Sequence, residues 1–253
     1  MADLILVENL ERGIVLVTLH RPERRNALCI ELVEQLCGVI ERLANDAANR
    51  CVILRGAGPV FSAGLDLREA ADSSLVERSA ASVSRLLDLV RATPLVMIAA
   101  VQGGAFAGGA GVMAACDITI AAADAKIGFP EARRGLLPAL ICGVLRYKVR
   151  EGDLRELFLA GEPIEAARAQ QVGLVQRVVT AERLMDEALD VARAIVAGGP
   201  NTIRQTKSLL NAAFPRSDDS GDVNLIEAHL AARHSDEARE GLAAFVEKRK
   251  PNW

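Results

Sequence analysis

The sequence predicts an α/β protein, on the strength of two observations. β-Branched runs bounded by glycine or proline, typical of buried strands, alternate with stretches in which leucine or isoleucine recurs every three to four residues, typical of amphipathic helices. Beyond about residue 180 only the helical period continues. Alternating strands and helices indicate largely parallel pairing, so we expect an α/β core over residues 1–195. The helical period that continues alone indicates a helical region over residues 196–253.

The strands and helices can be placed in order. Strands are predicted at 13–20 and 51–55, with an amphipathic helix between them, and a second helix at about 75–91 ends before Pro94. The predicted elements that follow are a buried strand at 95–101, a glycine loop at 103–109, an apolar helix to Cys116 and a strand at 117–123. The C-terminal helices are predicted at 181–197, 202–213, 222–233 and 236–249, with breaks at Pro200 and 215–222.

Composition excludes several classes of function. The 253 residues are 51% hydrophobic and 25% charged, which is typical of a folded globular protein, and the net charge of -3 with no early lysine or arginine block argues against a nucleic-acid partner. Residues 92–116 carry no charge and could span a bilayer, but Pro94, Gln102 and five glycines favour a strand, a loop and a helix.

The cysteines and the N-terminus indicate the compartment. The five cysteines are scattered and form no C-x-x-C pair, so we expect reduced thiols and neither a disulfide framework nor a metal site. The first residues include Asp3 and no basic segment, which argues against a secretory signal peptide. The expectation is therefore a cytoplasmic protein with no membrane segment.

Two glycine-containing loops each follow a predicted strand and precede a predicted helix: FSAGLDL (61–67) and GGAFAGG (103–109). Small residues let backbone N–H groups face a ligand, and two such loops can form an oxyanion hole. Either loop alone could be a simple tight turn. Position 60 is Val, so the G-x-S-x-G nucleophile motif is absent and Ser62 is a poor nucleophile candidate. The G-x-G-x-x-G spacing of dinucleotide-binding loops is also absent, which disfavours a nucleotide-dependent oxidoreductase.

Glu131, in GFPEARRGLLP (128–138), is the candidate proton-transferring carboxylate. Taken alone, a glutamate in a loop is most often a solvated surface charge. For the neighbouring Arg133 and Arg134 we expect solvent exposure. The alternatives are that one of them lowers the pKa of Glu131 or contacts an acidic substrate tail. The three histidines, His20, His229 and His234, are expected on the surface or packed, without a catalytic role.

These motifs together carry a family resemblance. RPERRNAL (21–28), the two loops, the stretch through CDITIA, GFPEARRGLLP and the terminal EGLAAFVEKRKP resemble the crotonase (enoyl-CoA hydratase/isomerase) superfamily, in order and spacing, over nearly the whole chain. The resemblance implies a spiral core of ββα units and a C-terminal helical region that mediates trimerisation, giving a homotrimer or a homohexamer. It also implies an acyl-CoA thioester substrate, with coenzyme A as part of the substrate and no separate cofactor.

The same resemblance assigns residues to roles. It matches Ala63 and Gly108 to the N–H donors that bind the thioester oxygen, and Glu131 to a catalytic carboxylate. The positions that it matches to coenzyme A binding are Arg25, Ala27, Leu28, Leu65, Asp66, Leu67, Phe245 and Lys248, the last two being able to reach a neighbouring subunit's coenzyme A.

One position departs from the pattern. Hydratases of this family usually hold a water between two glutamates, and the first of these positions is Gly111 here. A single Glu131 suits a Δ3,Δ2-enoyl-CoA isomerase, which shuttles one proton. Some hydratases of branched or glutaconyl-type thioesters resemble this chain in a small residue at that position and in Pro138-Ala139, so a hydratase is favoured. A catalytically impaired CoA-binding protein is the alternative of another class.

Overall fold

The structure is a computed structural model that describes residues 3–214 and 224–253, in which two sheets form the centre. The strands are β1 (Ile5–Glu11), β2 (Ile14–Leu19), β3 (Cys51–Gly56), β4 (Val96–Val101), β5 (Gly104–Phe106), β6 (Ile118–Ala122), β7 (Lys126–Gly128), β8 (Ile164–Glu165) and β9 (Arg177–Val179). The larger sheet has the order β1-β2-β3-β4-β6-β9 and the smaller one β5-β7-β8. Pairing is parallel except between β1 and β2 and between β7 and β8, which confirms the α/β prediction.

The helices surround this centre. They are α1 (Ile30–Asn45), α2 (Leu67–Ala70), α3 (Val76–Ala92), α4 (Gly108–Ala115), α5 (Ala139–Leu145), α6 (Glu151–Ala160), α7 (Ala166–Gln171), α8 (Leu184–Val196), α9 (Pro200–Ala213), α10 (Leu225–Arg233) and α11 (Asp236–Glu247). The predicted helices are confirmed to within a few residues. The predicted break at 215–222 and the first residues of the helix at 222–233 lie outside the described residues.

The C-terminal helices are not a separate layer throughout. Helix α8 packs on β3, β4 and β6, so its apolar face completes the core of the larger sheet. Helices α10 and α11 instead pack on α3, on α5 and on the 3₁₀ turn Ala132–Arg134. The boundary proposed at residue 195 falls at the end of α8.

The uncharged stretch at 92–116 folds as predicted into a strand, a loop and a helix. Strand β4 is fully buried, β5 lies inside the glycine loop, and α4 begins at Gly108. Among the described residues, no helix is both long and apolar enough to cross a membrane. The strands that the sequence did not predict are β1, β5, β7, β8 and β9, most of them only two or three residues long.

Asn26 joins the loop before α1 to the loop after β3. The residue is fully buried and has a φ of 53°, a left-handed conformation that asparagine tolerates better than most residues. Its side-chain amide donates to the carbonyl oxygens of Ala57 at 2.8 Å and Val60 at 2.9 Å. Its side-chain oxygen accepts from the Arg21 N–H, and its own carbonyl accepts from the Ser62 hydroxyl. These bonds fix the position of the loop at 61–67.

We predict that Asn26→Ala lowers the free energy of unfolding by about 3 kcal/mol. The change leaves buried carbonyl groups without donors and puts alanine in a left-handed conformation. Urea denaturation measures the effect, and Asn45→Ala, at the exposed end of α1, is the matched control with a change of less than about 0.5 kcal/mol. Equal losses in the two variants would contradict this account of the Asn26 hydrogen bonds.

Candidate active site

A pocket opens where α3, α5 and α10 meet the two glycine loops. Apolar side chains form most of its wall, including Ala80 and Val83 from α3 and Leu140 and Ile141 from α5. The titratable groups in its lining are Glu131, Arg134 and His229. An apolar pocket with a few polar groups is the usual form of a small-molecule site. Among the described residues, no cluster of histidine, cysteine and carboxylate side chains could hold a metal ion.

Two free backbone N–H groups lie side by side in the lining, those of Leu65 and Gly108. Neither donates to any acceptor among the described residues, because Leu65 follows a turn and Gly108 is the first residue of α4. A Cβ added to Gly108 would lie only 3.8 Å from the Leu65 nitrogen. A Cβ added to Gly64, whose φ is +88°, would lie 2.5 Å from the Phe106 carbonyl oxygen, so only glycine allows the two loops to approach this closely.

Ala63 was predicted to be the first donor, and the structure corrects this. The Ala63 N–H donates to the Arg25 carbonyl oxygen at 2.9 Å, so it is already used. Ala63 also lies outside the pocket lining, whereas Leu65 lies within it. The available donor in this loop is therefore Leu65, two residues further along. Ser62 is fully buried and its hydroxyl donates to the Asn26 carbonyl, which agrees with its exclusion as a nucleophile.

The second donor depends on a strained residue. Ala107 caps α4 with φ 48° and ψ -127°, a conformation in which glycine is the usual residue. Its N–H donates to the Gly128 carbonyl oxygen at 2.8 Å, which ties the start of α4 to β7. The peptide between Ala107 and Gly108 is thereby turned so that α4 begins with its N–H groups at the pocket.

Glu131 lies in the same pocket, where it is only 7% exposed. Its Oε2 atom is buried and has no hydrogen-bond partner among the described residues. Burial raises the pKa of Glu131 to about 7, and its own backbone N–H and the charge of Arg134 oppose this rise only in part. A carboxyl group with a pKa near neutrality can both accept and return a proton at physiological pH.

The space beside Gly111 is apolar. A Cβ at Gly111 would lie 3.3 Å from Ile141 Cγ1 and 3.6 Å from Leu87 Cδ2, and both of these side chains are buried. The sequence has glycine where a second carboxylate would be expected, and the side-chain atoms nearest to this position are hydrocarbon. Within the pocket lining, Glu131 is the one carboxylate.

The predicted coenzyme A residues divide into two groups. Leu28, Leu65 and Leu67 line the pocket together with Gly108 and Glu131. The others, which do not line it, are Arg25, Ala27, Asp66, Phe245 and Lys248. In the described structure the Asp66 carboxylate bonds to the Arg21 guanidinium at 2.5 Å and accepts from the Arg68 N–H. Arg25 and Lys248 are exposed.

The sequence missed two polar groups of the pocket. His229, expected on the surface or packed, lines it from α10 and hydrogen-bonds to the Leu137 backbone, and burial lowers its pKa to about 4. Arg134, expected in solvent, also lines the pocket, with its guanidinium carbon 4.9 Å from the centre of the Phe245 ring. Only Arg133 is on the surface as expected, paired with Glu162. No local sequence signal could have separated the two arginines.

The sequence of the chain is similar to those of known enzymes. The profile of the family described as enoyl-CoA hydratase/isomerase matches residues 9–253. The chain is 36% identical over 253 residues to enoyl-CoA hydratase EchA19 of Mycobacterium tuberculosis, with 94% of this chain and 92% of that protein covered. It is 33% identical over 258 residues to enoyl-CoA hydratase domain-containing protein 3, mitochondrial, of Danio rerio, covering 100% of this chain and 88% of that one.

Solved structures agree with the sequence comparison. The crystal structure of an enoyl-CoA hydratase from Mycobacterium avium superposes with a TM-score of 0.90 at 32% identity, over 100% of both chains. The fold is thus that of the crotonase superfamily. The chain belongs to the enoyl-CoA hydratase/isomerase family, as the resemblance in its motifs predicted.

We predict that Glu131→Gln stabilises the protein above neutral pH. The folded-state pKa of about 7 exceeds the ordinary 4.5, so the folded protein holds this proton more tightly, and Glu131 costs stability as pH rises from about 4.5 to 7. Glutamine removes that cost, so the variant should gain up to about 3 kcal/mol relative to wild type between pH 4 and pH 8 in urea denaturation.

Glu162→Gln, at an exposed position, is the control and should show no such gain between the two pH values. A stability difference between Glu131→Gln and wild type that stays constant with pH would show that the folded protein does not raise this pKa.

Proposed function

We propose that this enzyme is an enoyl-CoA hydratase, which adds water across the C2–C3 double bond of a 2-enoyl-CoA thioester, with a branched or glutaconyl-type acyl group as the candidate substrate. The observation that carries the proposal is the pairing, in one apolar pocket, of the buried and unpartnered Glu131 oxygen with the free N–H groups of Leu65 and Gly108. The names of the relatives, which contain the term enoyl-CoA hydratase, support hydration as the reaction.

The two N–H groups would bind the thioester oxygen. Water attacks C3, a C–O bond forms there, and the π electrons of the double bond move to the thioester oxygen as an enolate. Each preorganised donor stabilises that developing charge by roughly 3 kcal/mol. Coenzyme A stays bonded throughout, so the donors act on one oxygen during the whole reaction.

Glu131 would transfer the proton in both steps. As base, its carboxylate accepts a proton from the attacking water. As acid, it returns the proton to C2 when the enolate collapses, giving a 3-hydroxyacyl-CoA. A pKa of about 7 suits one group to both tasks, since neither form is strongly disfavoured at neutral pH. Such positioned proton transfer contributes roughly 10²–10⁴-fold in rate.

A Δ3,Δ2-enoyl-CoA isomerase is the second candidate. Two observations support it. The pocket lining has one carboxylate, and the side chains beside Gly111, Ile141 and Leu87, are apolar. An isomerase removes a proton at C2 and returns it at C4, and that transfer needs a single carboxyl group and no water.

The proposal extends to assembly and compartment. We propose a homotrimer or homohexamer in the cytoplasm, in which Phe245 and Lys248 reach coenzyme A on a neighbouring subunit. The exposure of both residues at the end of α11 supports the contact with a neighbouring subunit. The unpaired state of all five cysteines supports the cytoplasm as the compartment. Light scattering on the purified protein measures the number of subunits.

We predict that Glu131→Gln lowers kcat for crotonyl-CoA hydration by about 10³-fold with little change in KM, because glutamine cannot accept the proton. Glu162→Gln is the control and should retain wild-type kcat. A 3-enoyl-CoA substrate is assayed in parallel for double-bond migration.

The outcomes of these assays distinguish the candidate functions. Near wild-type rates of both reactions in Glu131→Gln would refute the role of Glu131. Migration much faster than hydration in the wild type would identify an isomerase. Tight coenzyme A binding without turnover of straight, branched or carboxylated enoyl-CoAs would identify a CoA-binding protein without activity.

We predict a single ionisation in kcat/KM for hydration between pH 5 and pH 8. Glu131 must be ionised to act as base, so the rate should rise tenfold per pH unit below about pH 7 and level off above it. His229, with a pKa of about 4, stays neutral over this range and adds no second step. A profile that is flat from pH 5 to pH 8 would contradict the assignment.

A further inference from the structure

Arg134 places in the pocket a cation that forms no ion pair among the described residues. It is the last residue of the 3₁₀ turn that begins just after Glu131, and it lies in the pocket lining, half-buried. Its neighbour Arg133 faces away, donating to the Ala160 carbonyl oxygen at 2.9 Å and to Glu162 at 2.6 Å. Two consecutive arginines thus have opposite surroundings, one paired on the surface and one unpaired at the site.

The contacts of Arg134 leave its N–H donors available. The Arg134 guanidinium carbon lies 4.9 Å from the centre of the Phe245 ring, a cation–π contact that requires no hydrogen bond from the N–H donors. Within residues 3–214 and 224–253 the guanidinium makes no hydrogen bond or ion pair, although the Arg134 backbone N–H donates to the Glu131 carbonyl oxygen at 2.8 Å. Arginine keeps its charge at neutral pH even though burial lowers its pKa, and a partly buried charge without a partner is costly.

Glu131 does not act as that partner. Its charge and that of Arg134 influence each other, yet no ion pair forms between them, and Glu131 Oε2 has no donor. A guanidinium placed to serve Glu131 would bind that oxygen directly. The free donors of Arg134 are therefore available to an anion that enters the pocket with the substrate.

We propose that Arg134 binds a carboxylate carried by the acyl group, so that the substrate is the coenzyme A monothioester of an unsaturated dicarboxylic acid. This rests on the proposed function and specifies its substrate. The planar guanidinium matches a carboxylate through two parallel hydrogen bonds, while the apolar side chains of α3 and α5 contact the chain between the thioester and the carboxylate. The phosphates of coenzyme A are the other source of an anion, and the experiment separates the two.

The test compares Arg134→Gln and Arg134→Lys with Arg133→Gln as the matched control. Binding is measured by calorimetry with glutaryl-CoA and butyryl-CoA, which are saturated and do not react, and with the corresponding pantetheine thioesters, which lack the nucleotide phosphates. We expect wild type to bind glutaryl-CoA more tightly than butyryl-CoA. Arg134→Gln should weaken binding of both glutaryl thioesters by about 10- to 100-fold and of the butyryl thioesters by less than threefold.

Arg134→Lys should restore part of the glutaryl affinity, because it keeps the charge and loses the two-pronged geometry. Arg133→Gln should bind like wild type. In kinetics, Arg134→Gln should raise KM for glutaconyl-CoA and leave KM for crotonyl-CoA nearly unchanged.

Three results would overturn the proposal. Equal weakening of glutaryl-CoA and butyryl-CoA that vanishes with the pantetheine thioesters would assign Arg134 to a coenzyme A phosphate. Unchanged binding with a shifted pH profile for both substrates would make Arg134 only a modulator of the Glu131 pKa. A wild type that does not prefer the glutaryl thioester would exclude the carboxylate site. Because the binding measurements need no turnover, they stand apart from the proposed function, which fails if wild type hydrates neither enoyl-CoA.

Discussion

The Asn26 side chain determines where the first loop of the site, residues 61–67, lies. Its hydrogen bonds to Ala57 and Val60 connect the loop before α1 to the loop after β3. Once these loops are joined, Leu28 can pair with Leu65, and the Leu65 N–H is left facing the start of α4. The spacing of the two donors therefore depends on a buried amide that touches neither of them. A shift of this loop would change the distance between the two N–H groups that we propose bind the thioester oxygen.

Desolvation shapes the chemistry of the pocket. The hydrocarbon of Ile141 and Leu87 packs near Gly111, and burial in the pocket, which Ile141 also lines, raises the pKa of Glu131. The pocket lining thus has one carboxylate, and the pKa of that carboxylate suits the proposed transfer of a proton by a single group. The charge of Arg134 limits the effect, because it favours the ionised carboxylate without pairing to it.

The sequence predicts what depends on local pattern. Long strands such as β2 and β4 and the helices α1 and α3 carry enough residues for their period to be recognised, and Glu131 and Gly108 lie in specific motifs. The donor in the first loop could not be assigned in this way. Whether the Ala63 N–H is free depends on the Arg25 carbonyl, a partner far away in sequence.

The remaining polar groups of the pocket depend on tertiary packing. His229 and Arg134 face the pocket because α10 and α11 fold back over α3, α5 and the turn after Glu131. Helical period places a residue on a face of its helix but does not say what that face covers. Strands of two or three residues, such as β8, exist only because a neighbouring strand is present, so no pattern within them could indicate their pairing.

The backbone conformation of Ala107 lowers the stability of the folded chain at the start of α4. An alanine with φ 48° and ψ -127° costs about 1–3 kcal/mol relative to a relaxed backbone, at the residue that orients the first N–H of α4. Glycine would relieve that cost but would also free the peptide to rotate. Glycine at this position should therefore raise thermal stability while making the first N–H of α4 less well oriented. A variant library screened for melting temperature alone would favour such substitutions, at the expense of the donor that we propose binds the thioester oxygen.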